Sequence, residues 1–178
     1  ESYHAWRDCG VKEICCTSKD NWWALGCGVG PCGPDSEMFY DTGKPKCSDS
    51  CSPSCECRQY LEIWNDVFMQ YVVKNAGEKA QKLERPNIDT GMGLERTVAT
   101  LNGAKSVYDS GCLKRVIDFI GEHAKVKYEE SESATRAYRI ITDHLRSSTF
   151  ILGDARGVVP SNVGQGYILR RFIRRAVN

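Results

Sequence analysis

The sequence contains no long apolar run, which argues against an α-helical membrane protein. No stretch of the 178 residues approaches the roughly 18 consecutive apolar residues that a membrane-spanning helix needs. No secretory signal precedes the globular sequence either. We therefore expect no membrane partner for this chain, whose length allows one domain with a real core or two small domains.

A strong net charge is also lacking, since the formal charge at pH 7 is only +1. This total hides an asymmetry: residues 139–178 hold seven Lys or Arg against two Asp or Glu, while residues 1–138 hold 17 against 21. A basic segment attached to an acidic body favours a polyanionic partner at the basic end, although a solvated helix face would have the same composition. Charge alone leaves both interpretations open.

Histidine is scarce, with three residues, whereas cysteine occurs ten times. Four cysteines fall within eleven residues, spaced C-x3-C-x3-C-x-C, at Cys47, Cys51, Cys55 and Cys57. A chain of this length does not need a disulfide scaffold, so a reducing compartment such as the cytoplasm and a single metal site fit better. Four thiolates suit tetrahedral zinc, but the spacing is not that of two C-x2-C knuckles. Zinc, free thiols and a disulfide therefore remain alternatives.

The front half of the sequence mixes strand and loop signals. We predict a short strand over residues 36–40, a Cys-, Ser- and Pro-rich loop over residues 44–58, and a buried strand from Tyr60 to Tyr71. Residues 74–87 are predicted to form a polar connection or a hairpin excursion. Gly91 to Leu101 opens with glycines and continues with helical spacing.

The back half is predicted to be entirely helical, with a domain boundary near residue 107. Helices are expected over residues 112–124 and 133–152 and, after an N-cap at Ser161, to about Ala176. The inward faces of the last two helices are predicted to consist of Ala134, Tyr138, Ile141 and Leu145, and of Tyr167, Ile168, Phe172 and Ile173. Four arginines are predicted to lie outward on the last helix, at Arg170, Arg171, Arg174 and Arg175.

Three segments carry residue types suited to ligand chemistry. In DTGMGLER, from Asp89 to Arg96, two glycines let a strand-to-helix turn approach a ligand, and the arginine can direct its guanidinium at phosphate oxygens. Adjacent tryptophans at residues 22 and 23, followed by GPCGPDSE, can wall a small pocket. The strand EIWNDVFMQ contains polar side chains that need partners in the core or in a ligand. Each segment alone is also explained by ordinary capping and packing.

Five segments occur together in a specific order: DNWW, GPCGPDSEMFYD, EIWNDVFMQY, DTGMGLER and ITDHLRSSTFILGDARGVVPSNVGQGYILRRFIRRA. In this order they resemble the alanine–tRNA ligase family of class II aminoacyl-tRNA synthetases, from about Asp20 to Asn178. DTGMGLER is similar to the third signature of that class. The resemblance implies an α+β fold, with part of a class II antiparallel sheet and flanking helices, followed by an all-helical domain.

The resemblance also implies a domain organisation. Residues 1–107 correspond to the C-terminal part of the aminoacylation domain, with a Cys-rich insertion at 44–58, and residues 108–178 to the start of the tRNA-recognition domain. The expected activity is attachment of alanine to tRNA(Ala) through an alanyl-adenylate made from alanine and ATP with Mg²⁺. Both ends look cut, and the first two class II signatures are not in the sequence, so we expect the chain alone to be inactive.

Individual roles follow from the positions that match. Asp89 matches the residue that binds the ammonium of alanine. Arg96 matches the arginine on the ATP triphosphate, and Gly93 is also implied to bind ATP. Glu62 is a candidate for orienting Mg²⁺ with ATP. The positions that match the pocket for the small side chain are Trp23, Asn65, Val67 and Gly91.

The tail is implied to contact the tRNA acceptor stem. Asn162 matches a polar residue that reads a G·U wobble pair, and the four outward arginines match tRNA-contacting positions. The competing interpretation is a non-catalytic module related to synthetases that binds tRNA or adenylate. An editing hydrolase is disfavoured because the histidines, His4, His123 and His144, cannot supply the family's His-x-x-x-His pattern.

Overall fold

The computed structural model describes residues 1–17 and 20–178. They form two compact units, residues 1–100 and residues 101–178. The first unit contains a sheet and the second contains helices, so the predicted α+β class, with an antiparallel sheet followed by helices, is confirmed. None of the described helices is long and apolar enough to cross a bilayer.

The sheet of the first unit is an antiparallel meander of four strands in sequence order. The strands are β1 (Trp22–Ala24), β2 (Gly30–Asp41), β3 (Tyr60–Val73) and β4 (Gln81–Met92), and a short helix α1 (Ser2–Asp8) precedes them. Within β3 only Val67 is buried, so the prediction of a strand is confirmed but that of a buried strand is wrong. The cause is that much of each sheet face is open rather than covered.

Strand β4 begins inside the segment that the sequence predicted as a polar connection or a hairpin excursion, and it forms an antiparallel hairpin with β3. Its residues QKLERPNIDTGM are exposed at all positions but Leu83, because β4 pairs with β3 alone among the described residues. A strand of this kind has no buried face, so it lacks the alternation of apolar and polar residues by which strands are predicted.

Helix α2 (Leu94–Leu101) follows β4 directly. Gly91 and Met92 still belong to β4, so the helix starts three residues later than predicted. The turn is fixed by Gly93, whose backbone N–H donates to the carbonyl of Ile63 at 2.9 Å. This hydrogen bond ties the start of α2 to strand β3.

The second unit contains a short 3-10 helix (Val107–Asp109) and the helices α3 (Gly111–His123), α4 (Glu132–Gly153) and α5 (Gly164–Val177). Helix α4 is capped by Ser131, whose Oγ accepts a hydrogen bond from the backbone N–H of Ala134. The apolar side chains buried in this unit are Leu113, Ile117, Ala134, Tyr138 and Leu169. The predicted helices are therefore present, with small differences at their ends.

Two details of the predicted helix faces are wrong. Leu145, Tyr167 and Ile168 are each 44% exposed, whereas Leu169 of α5 is buried at 1%. The inward face of α5 is rotated because Gly166, which is buried, packs against the preceding loop. Ser161 is not the N-cap either: α5 is preceded by Val163, and the Ser161 hydroxyl instead bonds to the backbone of that residue.

Candidate active site and metal centre

One face of the sheet collects most of the residues singled out in the first unit. Cross-strand partners share a face of a sheet. The register therefore creates two rows across three strands, Asp35–Val67–Asp89 and Glu37–Asn65–Gly91. Trp23 lies opposite Gly33, which alternation places on the same face. Trp22 lies on the other face, where its ring contacts that of Tyr71 at 5.6 Å.

Glu62 reaches this face through an irregularity in β3. The register shifts between Met38 and Phe39, so Phe39 pairs with Glu62 rather than with residue 63. The extra residue reverses the alternation of β3 and turns Glu62 to the side of Asn65. The sequence pattern gave no sign of this bulge.

Arg96 is held against the same strand. Its Nη1 donates to both the backbone carbonyl and Oε2 of Glu62, at 3.0 Å each. A Cβ added at Gly93 would lie only 3.2 Å from Cδ of Arg96, so glycine leaves room for this side chain to fold back. A Cβ added at Gly91 would meet nothing within 4 Å, so the sheet face is open there. Asp89, which is also exposed, faces the same open region.

Two further carboxylates belong to this cluster, Asp35 and Glu37. The Asn65 side-chain amide donates to Asp35 Oδ2 at 3.3 Å and to Glu37 Oε1 at 3.2 Å. Burial, reinforced by the charges of Glu62, Asp35 and Asp20, raises the pKa of Glu37 to about 7. Burial also raises the pKa of Asp35, against the lowering effect of the Asn65 hydrogen bond. No role was assigned to either acid from sequence, although their i, i+2 spacing on a strand was the available signal.

The cluster is rich in hydrogen-bond acceptors. Asp35 Oδ1 and Asn65 Oδ1 are both buried without a hydrogen-bond partner within residues 1–17 and 20–178. Buried acceptors of this kind favour a ligand that brings donors or positive charge. An ammonium group or a divalent cation fits the face, and the guanidinium of Arg96 at its edge fits a phosphate.

The opposite face of the sheet is used differently. There Trp64 Nε1 donates to Thr90, whose hydroxyl donates to Asp66 Oδ1 at 2.8 Å. The indole of Trp6, on α1, donates to Ser36. This face therefore carries side-chain contacts within the chain, one of them from α1.

The cysteine-rich loop brings its four thiols together. The sulfurs of Cys47, Cys51 and Cys55 all lie within 4.8 Å of one another, and the sulfurs of Cys51 and Cys57 are 3.5 Å apart. Hydrogen bonds with Cys51 and Cys57 raise the pKa of the Cys47 thiol to about 12. The pKa of Cys55 is lowered by the Ser52 backbone N–H, and that of Cys57 by the Gln59 backbone N–H. The loop also contacts the segment before β1, where the Ser54 hydroxyl donates to Asp20 Oδ2 at 2.7 Å.

The basic cluster of the second unit lies on α5. All four predicted arginines are exposed, as expected from the sequence. Arg170 donates to Asn162 Oδ1, and the Arg171 guanidinium lies 6.0 Å from the ring centre of Tyr167. A Cβ on Gly166 would lie 2.4 Å from Ser161 Oγ and 2.5 Å from the Val159 carbonyl, so only glycine allows the loop before Asn162 to pack here.

A family model described as class II tRNA synthetases (A) matches residues 1–178. The chain therefore belongs to this family, which agrees with its antiparallel sheet and flanking helices.

Within this family, the chain is similar to alanine–tRNA ligases of several bacteria. The chain is 48% identical over 180 residues to the alanine–tRNA ligase of Treponema denticola, which covers 99% of the chain and 30% of that protein. It is 53% identical over 158 residues to the alanine–tRNA ligase of Treponema pallidum, covering 89% of the chain and 26% of the relative. The alanine–tRNA ligase of Desulforudis audaxviator is 44% identical over 182 residues, which cover 99% of the chain and 20% of that protein. The chain thus spans less than a third of the length of these relatives.

Proposed function

We propose that this chain is the part of an alanine–tRNA ligase that binds alanine and ATP and begins the tRNA-contacting helices. The whole reaction attaches alanine to tRNA(Ala) through an alanyl-adenylate. The support is a single arrangement: Asp89 lies on the same sheet face as Glu62, and Glu62 holds Arg96. A carboxylate that can bind ammonium and a guanidinium that can bind phosphate are thereby brought to one surface.

In the proposed mechanism, the protein supplies position and charge rather than a nucleophile. Asp89 binds the ammonium of alanine. The carboxylate of alanine is then free to attack the α-phosphorus of ATP, which forms alanyl-adenylate and releases pyrophosphate. Arg96 binds the triphosphate, and Glu62 orients both this guanidinium and Mg²⁺. When bound, Mg²⁺ neutralises charge on the phosphoryl oxygens, and the acceptor-rich face fits such a cation. The terminal hydroxyl of tRNA then attacks the carbonyl carbon of alanyl-adenylate, so that the alanyl group is esterified to tRNA and AMP leaves.

The proposed pocket for the methyl group limits substrate size. Trp23 and Val67 form its walls with Asn65, and the open space over Gly91 admits the ligand. Such a pocket rejects glycine and serine only modestly, because a methyl or hydroxyl group is worth about 1–3 kcal/mol of discrimination. This is a physical reason for such a ligase to require editing elsewhere.

We propose that the second unit, as the start of a tRNA-recognition domain, contacts the acceptor stem through Asn162 and four arginines of α5: Arg170, Arg171, Arg174 and Arg175. Exposed guanidinium groups on one helix suit phosphate contacts. The hydrogen bond from Arg170 fixes the amide of Asn162, as a residue that reads a base pair requires. A cytoplasmic location follows from this function, since tRNA charging supplies translation.

We also propose structural zinc at Cys47, Cys51, Cys55 and Cys57. Tetrahedral zinc with Zn–S bonds near 2.3 Å needs sulfurs about 3.8 Å apart. The sulfur separations in this loop, 3.5 Å for one pair and within 4.8 Å for three thiols, fit that requirement. Bound zinc would fix the loop by four bonds. Metal analysis of the complete polypeptide purified without chelator tests the site, and less than ~0.2 equivalents of zinc would reject it.

The alternative, a non-catalytic module that binds tRNA or adenylate, is separated from the ligase by one assay. Alanine-dependent exchange between ATP and pyrophosphate by the complete polypeptide reports formation of alanyl-adenylate. We expect exchange with alanine and about 10- to 200-fold less with glycine or serine, which is the modest discrimination that such a pocket provides. Binding of tRNA without any exchange would favour the module.

A further inference from the structure

The amide of Asn65 is fixed from one side of the cluster. Both of its hydrogens have acceptors on β2, Asp35 Oδ2 at 3.3 Å and Glu37 Oε1 at 3.2 Å. An ionised carboxylate only accepts hydrogen bonds, and a protonated one retains a carbonyl oxygen that accepts, so the nitrogen of the amide faces these two acids. The carbonyl oxygen is then turned away from β2, and the alternative orientation would place it against two carboxylates.

In this orientation the side-chain oxygen of Asn65 is a hydrogen-bond acceptor that receives no donor. Asn65 Oδ1 is buried and has no hydrogen-bond partner within the described part of the chain, and the same is true of Asp35 Oδ1. Buried acceptors in native proteins are nearly always satisfied. A ligand that donates hydrogen bonds would satisfy them.

The surroundings of this oxygen select the class of ligand. Gly91 lies directly across from Asn65, with open space where a Cβ would be, and Asp89 is the neighbouring residue of the same face. Asp35 and Glu37 add acidic character on the other side. A carboxylate or phosphate group at this point would meet acids on both sides, whereas an ammonium group would find acceptors and complementary charge.

We propose that Asp35 and Glu37 are positioning residues, which orient the Asn65 amide so that its Oδ1 accepts a hydrogen bond from the α-ammonium of the amino-acid substrate. Asp89 accepts a second one. This inference rests on the proposed function and adds to it two positioning residues, Asp35 and Glu37. Without the two acids, the amide is free to turn and present its NH₂ group, a donor, to the ammonium.

Two adenylate analogues isolate the ammonium contact. Alanyl-sulfamoyl-adenosine carries the ammonium, and propionyl-sulfamoyl-adenosine is the same molecule without it. Their dissociation constants would be measured by calorimetry on the complete polypeptide, together with its thermal midpoint. The variants are Asp35→Leu and Glu37→Met, which remove the acceptor, and Glu37→Gln, which retains an oxygen that can accept from Asn65.

We expect Asp35→Leu and Glu37→Met each to weaken the alanyl analogue at least about tenfold, and the propionyl analogue less than about twofold. Glu37→Gln should restore affinity to within about threefold of the unsubstituted protein, because one acceptor oxygen remains. Each acid accepts one of the two amide hydrogens of Asn65. If one of the two variants does not fold, the other therefore still tests the proposal. The matched control is Asp66→Leu, which removes an acid from the opposite face of β3 and should change neither affinity.

The outcomes separate this inference from the function on which it rests. Asp89→Asn should weaken the alanyl analogue selectively, and failure of that variant to do so would refute the proposed alanine site itself. If Asp89→Asn has its effect while Asp35→Leu and Glu37→Met do not, only the positioning role is refuted. Equal weakening of both analogues by those variants would also refute it, since that result indicates general damage to the sheet.

Discussion

Arg96 donates from a single nitrogen, Nη1, to both the backbone carbonyl and the carboxylate of Glu62, at 3.0 Å each. A guanidinium has five N–H donors in a fixed plane, so this contact orients the group and leaves donors for a ligand. The pair joins α2 to β3 and sits at the rim of the acidic face. The two side chains are 45% and 37% exposed, so the pair contributes orientation more than stability.

This geometry makes Arg96 sensitive to a change that preserves its charge. Lysine at position 96 is a point charge and cannot hold Glu62 and a phosphate in the same planar arrangement. We expect Arg96→Lys in the complete polypeptide to raise the KM for ATP at least about tenfold, with little change in the KM for alanine. Pyrophosphate exchange at varied ATP and alanine measures both constants. An unchanged KM for ATP would remove Arg96 from the nucleotide site.

Asp89 is expected to bind alanine rather than ATP. Asp89→Asn removes the charge that pairs with ammonium while preserving the shape of the side chain. We expect kcat/KM for alanine to fall about 100-fold or more, since a charge-assisted hydrogen bond is lost. The control is Asp66→Asn, the same change on the opposite face of the sheet, which should leave kcat/KM within about twofold. If kcat/KM for alanine survives Asp89→Asn, this residue does not bind the amino acid.

Motif order predicted more of this molecule than periodicity did. The segments around Asp89 and Asn65 carried the family resemblance, and the family and fold that they implied are confirmed. The sequence spacing could not predict that these residues and Glu62 share one face of the sheet, because this depends on the register of three strands and on a bulge beside Glu62. A bulge of one residue reverses which face a side chain occupies, and sequence alternation cannot reveal where it lies.

The misplaced details have a similar origin. Strand β4, which lies at the edge of the sheet formed by the described residues, has no buried residue, so it gave no strand signal. On α5 the sequence offered several apolar side chains for the inward face. The choice of Leu169 over Tyr167 and Ile168 depends on how Gly166 packs against the loop at Ser161. Tertiary packing of this kind decides between helix faces of similar composition.

The pKa of Glu37 predicts a pH dependence of stability. Its pKa is about 7 in the folded chain against 4.5 for the ordinary group, so the folded state binds the proton more tightly than the unfolded state. Its contribution to stability is therefore present below pH 4.5 and is lost as the pH rises through about 7. Glu37→Gln cannot ionise and should raise the thermal midpoint by a few degrees at pH 8, with no gain at pH 4. A gain independent of pH would contradict the raised pKa.

Loss of one thiol tests whether the four cysteines act as a unit. Cys51 lies at the centre of the cluster, with its sulfur 3.5 Å from that of Cys57. We expect Cys51→Ser to lower bound zinc from about one equivalent to below ~0.2 and to lower the thermal midpoint, since metal binding supplies folding free energy. Cys112→Ser, a change at an exposed cysteine of α3, is the control and should retain the metal. Equal zinc in both variants would rule out the cluster as the binding site.

Gly166 allows the tRNA-binding role of α5 to be tested without touching a proposed contact residue. An added Cβ would lie 2.4 Å from Ser161 Oγ and 2.5 Å from the Val159 carbonyl, so Gly166→Ala must displace the loop that leads to Asn162. We expect the KM for tRNA in aminoacylation to rise at least about tenfold, whereas alanine-dependent pyrophosphate exchange, which needs no tRNA, stays within about twofold. Gly153→Ala is the matched control, because a Cβ at that position in α4 would meet nothing within 4 Å. A fall in both activities would indicate that the substitution acts through folding, and an unchanged KM for tRNA would show that the placement of this loop does not matter for recognition.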